Sequence, residues 1–241
     1  MPSAGNRDLI SRVEAVDLAF TGLWSNSINL KCGTLFFNQN LPNDVFFDKL
    51  TNMTCLDGKT LDDSLYLFQK YHTTPYVYTL NQPKFEEKLL EQNFKLYDTQ
   101  YVLTKTPDSV MSSKARRISR AESMVWSETF CSAYNCCEWI TSVDEIVKRS
   151  CDSIEYYVDE SASSCVALYE SNSMFGLYCL GTVPAMRKKG IAESLIDFAI
   201  DQVKRRNLEF LMLETYQRDK LLDFYFKLGF KEIYQKNIYT I

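Results

Sequence analysis

Arg187-Lys188-Lys189-Gly190-Ile191-Ala192 sets three cations, a glycine and a small residue between an apolar run, Phe175 to Val183, and a stretch of helical periodicity. Such a sequence can hold an anion. Glycine at 190 lets backbone amides come close to a ligand, and Ala192 keeps the next position small. The first turn of a helix from Ile191 adds unpaired N–H groups and the positive end of its dipole. The expected chemistry is the binding of a diphosphate.

Other residue types with reactive chemistry are scattered. The eight cysteines form no C-x-x-C pair and have no nearby histidine, so no metal site is expected. With no secretion signal, buried reduced thiols are the expected state. The single histidine, His72, closes a polar helix beside Thr73, Thr74 and Pro75, far from any nucleophile motif, and is read as a helix-end residue.

These groups must be positioned by a chain of 241 residues, long enough for one large or two small domains. A content of 46% apolar residues fits a folded protein, and a net charge of −4 supplies no global basic field for nucleic acid or an anionic membrane. No run approaches the roughly 20 apolar residues that span a bilayer. The chain is therefore read as a soluble cytoplasmic protein without nucleic-acid or membrane partners.

The C-terminal half carries the clearer pattern. An edge strand leads into an amphipathic helix over 118–139, and a second short helix covers 143–150. Strands are expected at Ile154–Val158, Cys165–Tyr169 and Met174–Val183, where Pro184 ends the run. A helix follows with Ile191, Leu195, Phe198, Ala199 and Val203 on one face. Then come a strand at Leu208–Leu213, a helix at Arg218–Leu228 ended by Gly229, and a final hairpin or bent strand over Phe230–Ile241.

A shift of 136 residues lays the first half on the second. Thr79/Thr215, Lys84/Lys220, Phe94/Phe230, Lys95/Lys231 and Thr104/Thr240 then coincide without a gap. This is read as a duplicated strand–helix–strand unit. The expected domains are 1–106, a degenerate copy; 107–117, a polar linker; and 118–241, the working copy.

With those segments in order, the chain resembles the GCN5-related N-acetyltransferase (GNAT) family. The family's loop pattern, Gln/Arg-x-x-Gly-x-Gly/Ala, is met by Arg187 to Ala192. Thr182-Val183-Pro184 resembles its Val-x-Pro segment, and Phe224-Tyr225-Phe226-Lys227-Leu228-Gly229-Phe230 resembles its Leu-Tyr-x-x-Leu-Gly-Phe segment. The resemblance implies a mixed α/β fold with a central twisted mixed sheet flanked by helices, duplicated with a degenerate first copy. It also implies acetyl-CoA as cosubstrate, without metal, and a small-molecule or peptide amine as acceptor.

Carried over by position, the resemblance implies that Arg187, Lys188, Lys189, Gly190, Ile191 and Ala192 hold the pyrophosphate. Leu180, Gly181 and Thr182 would pair with the pantetheine arm, and Tyr225 would protonate the departing thiolate. Two positions depart from the family. Arg218 stands where a cofactor-side Asn is common, and Gly176 where some members place a Glu base. Glu214 is the candidate base instead, with relay through Tyr216 or Glu170 as other routes. Tyr134 and the Glu155-Tyr156-Tyr157 segment are candidate walls for a cationic amine. In the first copy Leu89 replaces the tyrosine, and Cys55 to Thr60 supplies one turn glycine, so no CoA site is expected there. Transfer of another acyl or an aminoacyl group, or a catalytically silent CoA-binding module, are the alternative functions.

Overall fold

The computed structural model describes residues 4–55, 58–107 and 113–241. In chain order the elements are α1 (Ala4–Trp24), β1 (Asn26–Leu30), β2 (Gly33–Phe37), β3 (Lys49–Thr51), α2 (Gly58–Tyr71), β4 (Tyr76–Thr79), α3 (Pro83–Glu91) and β5 (Lys95–Lys105). They continue with β6 (Arg116–Arg117), α4 (Ser123–Tyr134), α5 (Ile140–Ser150), β7 (Glu155–Val158), β8 (Ser164–Ser171), β9 (Met174–Thr182), α6 (Ile191–Arg205), β10 (Phe210–Tyr216), α7 (Leu222–Lys227) and β11 (Lys231–Thr240).

Packing divides the chain into two units that interleave in sequence. One holds residues through Val102 with Thr215–Tyr225 and Glu232–Ile241; the other holds Leu103–Glu214 and Phe226–Lys231. The sequence-based linker at 107–117 cuts the chain linearly instead, and residues 108–112 of it lie outside the described residues.

In the first unit the strands run β1-β2-β3-β4-β11-β5. β3 and β4 pair in parallel (Lys49↔Tyr76, Leu50↔Val77), while β11 lies antiparallel to β4 (Asn237↔Thr79, Ile238↔Tyr78). Leu61, Phe68, Phe85, Leu89 and Phe94 pack with Leu35, Leu50 and Val77 in one apolar cluster. Beside it lies a buried ionic group. Lys49 and Lys236, both fully buried, reach Asp17 at 3.1 and 3.3 Å, and Lys236 also reaches Glu14 at 2.9 Å. Burial alone would raise the Asp17 carboxyl, but the two ammonium groups outweigh it and hold it at about 2.

In the second unit the order is β10-β9-β8-β7-β6. β9 lies parallel to β10 and antiparallel to β8. Helices α4 and α6 both pack on β8 and β9. Trp126 fixes α4: it is fully buried, stacks on Phe130 at 5.2 Å, and donates its indole N–H to the Val166 carbonyl at 3.1 Å. Truncating such an anchor to alanine costs about 3–5 kcal/mol. α6 begins at Ile191 and buries Leu195, Phe198, Ala199 and Val203, the face expected from its periodicity.

Mixed sheets flanked by helices therefore agree with the fold read from the sequence. The shift of 136 residues also holds in the elements, since β4–α3–β5 falls on β10–α7–β11. Of the two forms expected for the last segment, a single strand is observed: in β11 Lys236 is satisfied by Asp17 and Glu14, and Asn237 by Glu86 at 3.3 Å. Two details differ. The helix expected from Arg218 starts as a 3-10 turn at Gln217–Asp219 and becomes α-helical at Leu222. Cys32 and Cys55, expected as reduced thiols, are joined in a disulfide, because the paired β2 and β3 bring their flanking turns together.

Candidate functional site

The anion loop begins where β9 ends. Pro184–Met186 makes one 3-10 turn, after which Lys188 (φ 61°) and Gly190 (φ 77°) both adopt the left-handed conformation. Alternating backbone handedness of this kind turns successive N–H groups toward one concavity. The first backbone bond of α6 runs from the Ser194 N–H to the Gly190 carbonyl, at 3.0 Å. The amides of Ile191, Ala192 and Glu193 precede that bond and have no acceptor in the helix. A Cβ at Gly190 would meet no atom within 4 Å, so the glycine is required by its φ and the space above it is open. Residues 187–190 are all exposed. The loop thus fits a diphosphate through its backbone.

Side chains of the loop divide the work. Arg187, though exposed, is tied to the backbone: its Nε donates to the Thr182 carbonyl at 3.1 Å and its Nη2 to the Ala133 carbonyl at 2.8 Å. It ties the end of β9 to the end of α4. Lys188 and Lys189 are left to supply exposed charge, with the Lys189 ammonium 3.3 Å from the Met186 sulfur. A depression of about 600 Å³ adjoins the loop, lined by Lys189, Gly190 and Ile191 but also by Asp159, Glu160, Glu193 and Asp197. Burial opposes charge on Asp159, yet hydrogen bonds from the Ser161 hydroxyl and the amides of Ser164, Ser161 and Ser163 hold its carboxyl below the ordinary range. The carboxylates disfavour a polyphosphate on their side of the depression, which leaves the amide arc and Lys189 as its anion-facing part.

Upstream, β9 and β10 part. Their parallel register runs from Met174↔Phe210 to Leu177↔Leu213, whereas β9 continues to Thr182. A bulge follows at once: Cys165 pairs with Gly181 and Ala167 with Tyr178, leaving Cys179 and Leu180 opposite one residue, with Cys179 at φ 54°. Leu180, Gly181 and Thr182 therefore lie beyond the paired part of the β9–β10 edge. Their carbonyls accept from the Tyr134 hydroxyl (3.0 Å), the Ser164 hydroxyl (2.7 Å) and Arg187. Gly181 leaves room for α4, since a Cβ there would sit 2.8 Å from the Ala133 methyl.

The place of the family's Glu is filled in an unexpected way. A Cβ on Gly176 would lie 2.3 Å from the Tyr178 ring and 2.9 Å from its hydroxyl oxygen. Tyr178 therefore covers the glycine from two residues downstream on the same strand face. Neither spacing nor residue type signals this, because it depends on which way the tyrosine leans. Of the base candidates, Glu170 is paired with Arg206 at 2.8 Å, and Glu214 is half-buried. Tyr216 shares a hydrogen bond of 3.1 Å with Tyr78.

Tyr225 is buried on α7, edge-on to Phe224 at 5.2 Å. Burial, aided by the nearby Asp219 charge, raises its phenol well above the ordinary range and keeps it protonated. Tyr156 and Tyr157 do not wall a pocket. They are buried in the core, with Tyr156 bonded to the Ser150 hydroxyl at 2.7 Å and Tyr157 donating to Glu155 at 2.7 Å, while Glu155 is held by Arg206 at 2.8 Å. Tyr134 is half-exposed and holds Leu180. His72 ends α2 at φ 56°, as expected of a helix-end residue.

Among the described residues no group of side chains has a metal-ligating arrangement, and no helix is long and apolar enough to cross a membrane. Residues 124–230 match the model of the Acetyltransferase (GNAT) family. No curated protein matches the chain. Among solved structures the chain is similar to a GCN5-related N-acetyltransferase from Kribbella flavida, at 10% identity and TM-score 0.68, over 95% of this chain and 93% of that one. It is similar to a functionally unknown conserved protein from Staphylococcus epidermidis, at 13% identity and TM-score 0.64, over 90% and 94%. A tandem GNAT protein from the clavulanic acid biosynthesis pathway matches at 10% identity and TM-score 0.57, over 86% and 78%. These likenesses are of fold.

Proposed function

Because residues 124–230 form a domain of the acetyltransferase (GNAT) family, whose members transfer acyl groups, we propose that this chain is an N-acetyltransferase moving acetyl from acetyl-CoA to a primary amine. The observation that carries the reading is the left-handed pair Lys188 and Gly190 opening α6 directly after β9 leaves β10. An amide arc suited to a diphosphate follows a strand segment that is no longer paired with β10, which an extended amide-bearing arm can join. Acetyl-CoA has both parts.

In this reading the amides of 188–192 and the two lysines bind the diphosphate, and Arg187 holds Thr182 in line with the arm. An N–H of the bulged Leu180 segment donates to the developing oxyanion. Glu214 takes the proton of the incoming amine, and Tyr225, kept protonated by burial, donates to the departing thiolate. A neutral amine attacks the thioester directly, so the reaction needs no enzyme nucleophile and no histidine. The test is thiol release from acetyl-CoA across a broad amine library. Release with at least one amine class supports the reading; no thermal shift at millimolar acetyl-CoA contradicts it.

A further inference from the structure

Arg218 stands in the 3-10 turn between β10 and α7, where the resemblance leads one to expect an asparagine. Its guanidinium carbon lies 4.9 Å from the Tyr216 ring centre and 5.2 Å from that of Tyr97. Nε pairs with Asp98 at 3.3 Å, and Nη1 donates to the Tyr97 hydroxyl at 2.5 Å. Asp98 is itself fixed, accepting from the Thr99 amide at 2.8 Å. Two rings and one carboxylate thus set the plane of the guanidinium, while its side chain stays 43% exposed. Nη1 thus has one hydrogen bond, and Nε lies at ion-pair distance from Asp98. Among the described residues, Nη2 has no hydrogen-bond partner, so that side of the fork is open.

A half-exposed arginine held this rigidly has lost its rotamer freedom before any ligand arrives. Its open edge matches a planar oxyanion that accepts two parallel N–H bonds. The same segment carries the acid of the proposed transfer. The charge of Asp219, next in sequence, acts on both the Arg218 guanidinium and the Tyr225 phenol. Arg218, Asp219 and Tyr225 belong to the same packed unit. The charges of Asp98, Asp219 and Asp44 already offset that of the arginine, so the local field does not favour a polyanion such as a phosphate chain. A single carboxylate, read by geometry more than by charge, is the better match.

We infer that Arg218 is a carboxylate-binding fork for the acceptor, and that the acceptor class is an amine bearing a carboxylate, such as an amino acid. The inference rests on the acyl-transfer reading for its role but has its own readout. Thiol-release kinetics compare an amino acid with its carboxamide and its decarboxylated amine, across several side chains, in wild type, Arg218→Lys and Arg218→Ala. Wild type is expected to favour the carboxylate form. Both variants should raise KM for carboxylate acceptors by roughly 10- to 100-fold, the loss of a charge-assisted hydrogen-bonded pair. KM for the carboxamides and for acetyl-CoA should change less than about 2-fold.

An equal loss across all three acceptor forms would make Arg218 a structural partner of Asp98 and overturn the proposal. So would a rise in KM confined to acetyl-CoA, which would assign the fork to a donor phosphate. Binding is read without turnover by the melting shift that the amino-acid panel produces in the presence of CoA. A shift in wild type that Arg218→Lys removes supports the fork even where no thiol is released. No shift from any carboxylate in wild type overturns it. Asp98→Asn combined with Arg218→Ala keeps the test interpretable if the single alanine variant does not fold.

Discussion

The segments β3–α2–β4–α3–β5 and β9–α6–β10–α7–β11 follow the same course, with a parallel strand pair at the head of each. They differ where a ligand would enter. Before α6 stand exposed lysines and a glycine at φ 77°, in a loop that continues a nine-residue strand. Before α2 the strand has three residues, Cys55 is tied to Cys32, and Gly58 is not in the left-handed region. Charge is used differently as well. Lys49 on β3 is sealed inside with Asp17 and lies 4.2 Å from the centre of the Phe46 ring, while Lys188 and Lys189 are left in water. At the head of its helix the first copy buries its lysine, whereas the second leaves two exposed.

The largest effect expected from breaking this contrast lies in the first copy. Lys49→Met leaves Asp17 short of a partner and should cost about 3–5 kcal/mol in urea denaturation while the response to acetyl-CoA survives. The sign of the pH dependence follows from Asp17. Its folded value of about 2 lies below the ordinary 3.8, so its contribution is full above pH 4 and fades as pH falls through 2. Linkage puts that contribution at about 2 kcal/mol. Asp17→Asn should remove this part of the acid sensitivity, as followed by denaturation between pH 5 and 2.

In the second copy, Gly190→Asp puts a side chain where φ disfavours one and negative charge where the diphosphate is proposed to lie. It should weaken acetyl-CoA binding by at least about 100-fold, whereas Gly58→Asp should leave it unchanged. Tyr225→Phe should lower kcat by roughly 10- to 100-fold with acetyl-CoA affinity retained. An unchanged kcat across an amine panel would remove Tyr225 as the acid. The smallest effect is that of Arg187→Lys, which keeps the charge but cannot span the Thr182 and Ala133 carbonyls. A loss of about 1 kcal/mol in stability and a few-fold in affinity is expected.

Much of this contrast is legible in the residues. Glycine between a basic pair and an apolar 3.6-residue period marks the start of α6 at Ile191, and gapless pairs such as Phe94/Phe230 reveal the repeat. What stays hidden depends on partners far apart in sequence. The parting of β9 from β10 after Leu177 is a property of pairing, and the bulge at Cys179 needs a left-handed cysteine that no propensity predicts. Tyr178 covers Gly176 through its side-chain direction. The burial of Lys236 is hidden as well, because its partners, Glu14 and Asp17, lie more than two hundred residues earlier.

In the proposed function only the second copy holds the acyl donor. Calorimetric titration of acetyl-CoA into the intact chain tests it most directly. One site per chain is expected, lost in Gly190→Asp and unaltered in Gly58→Asp. Two sites per chain, or one site that survives Gly190→Asp, would contradict it.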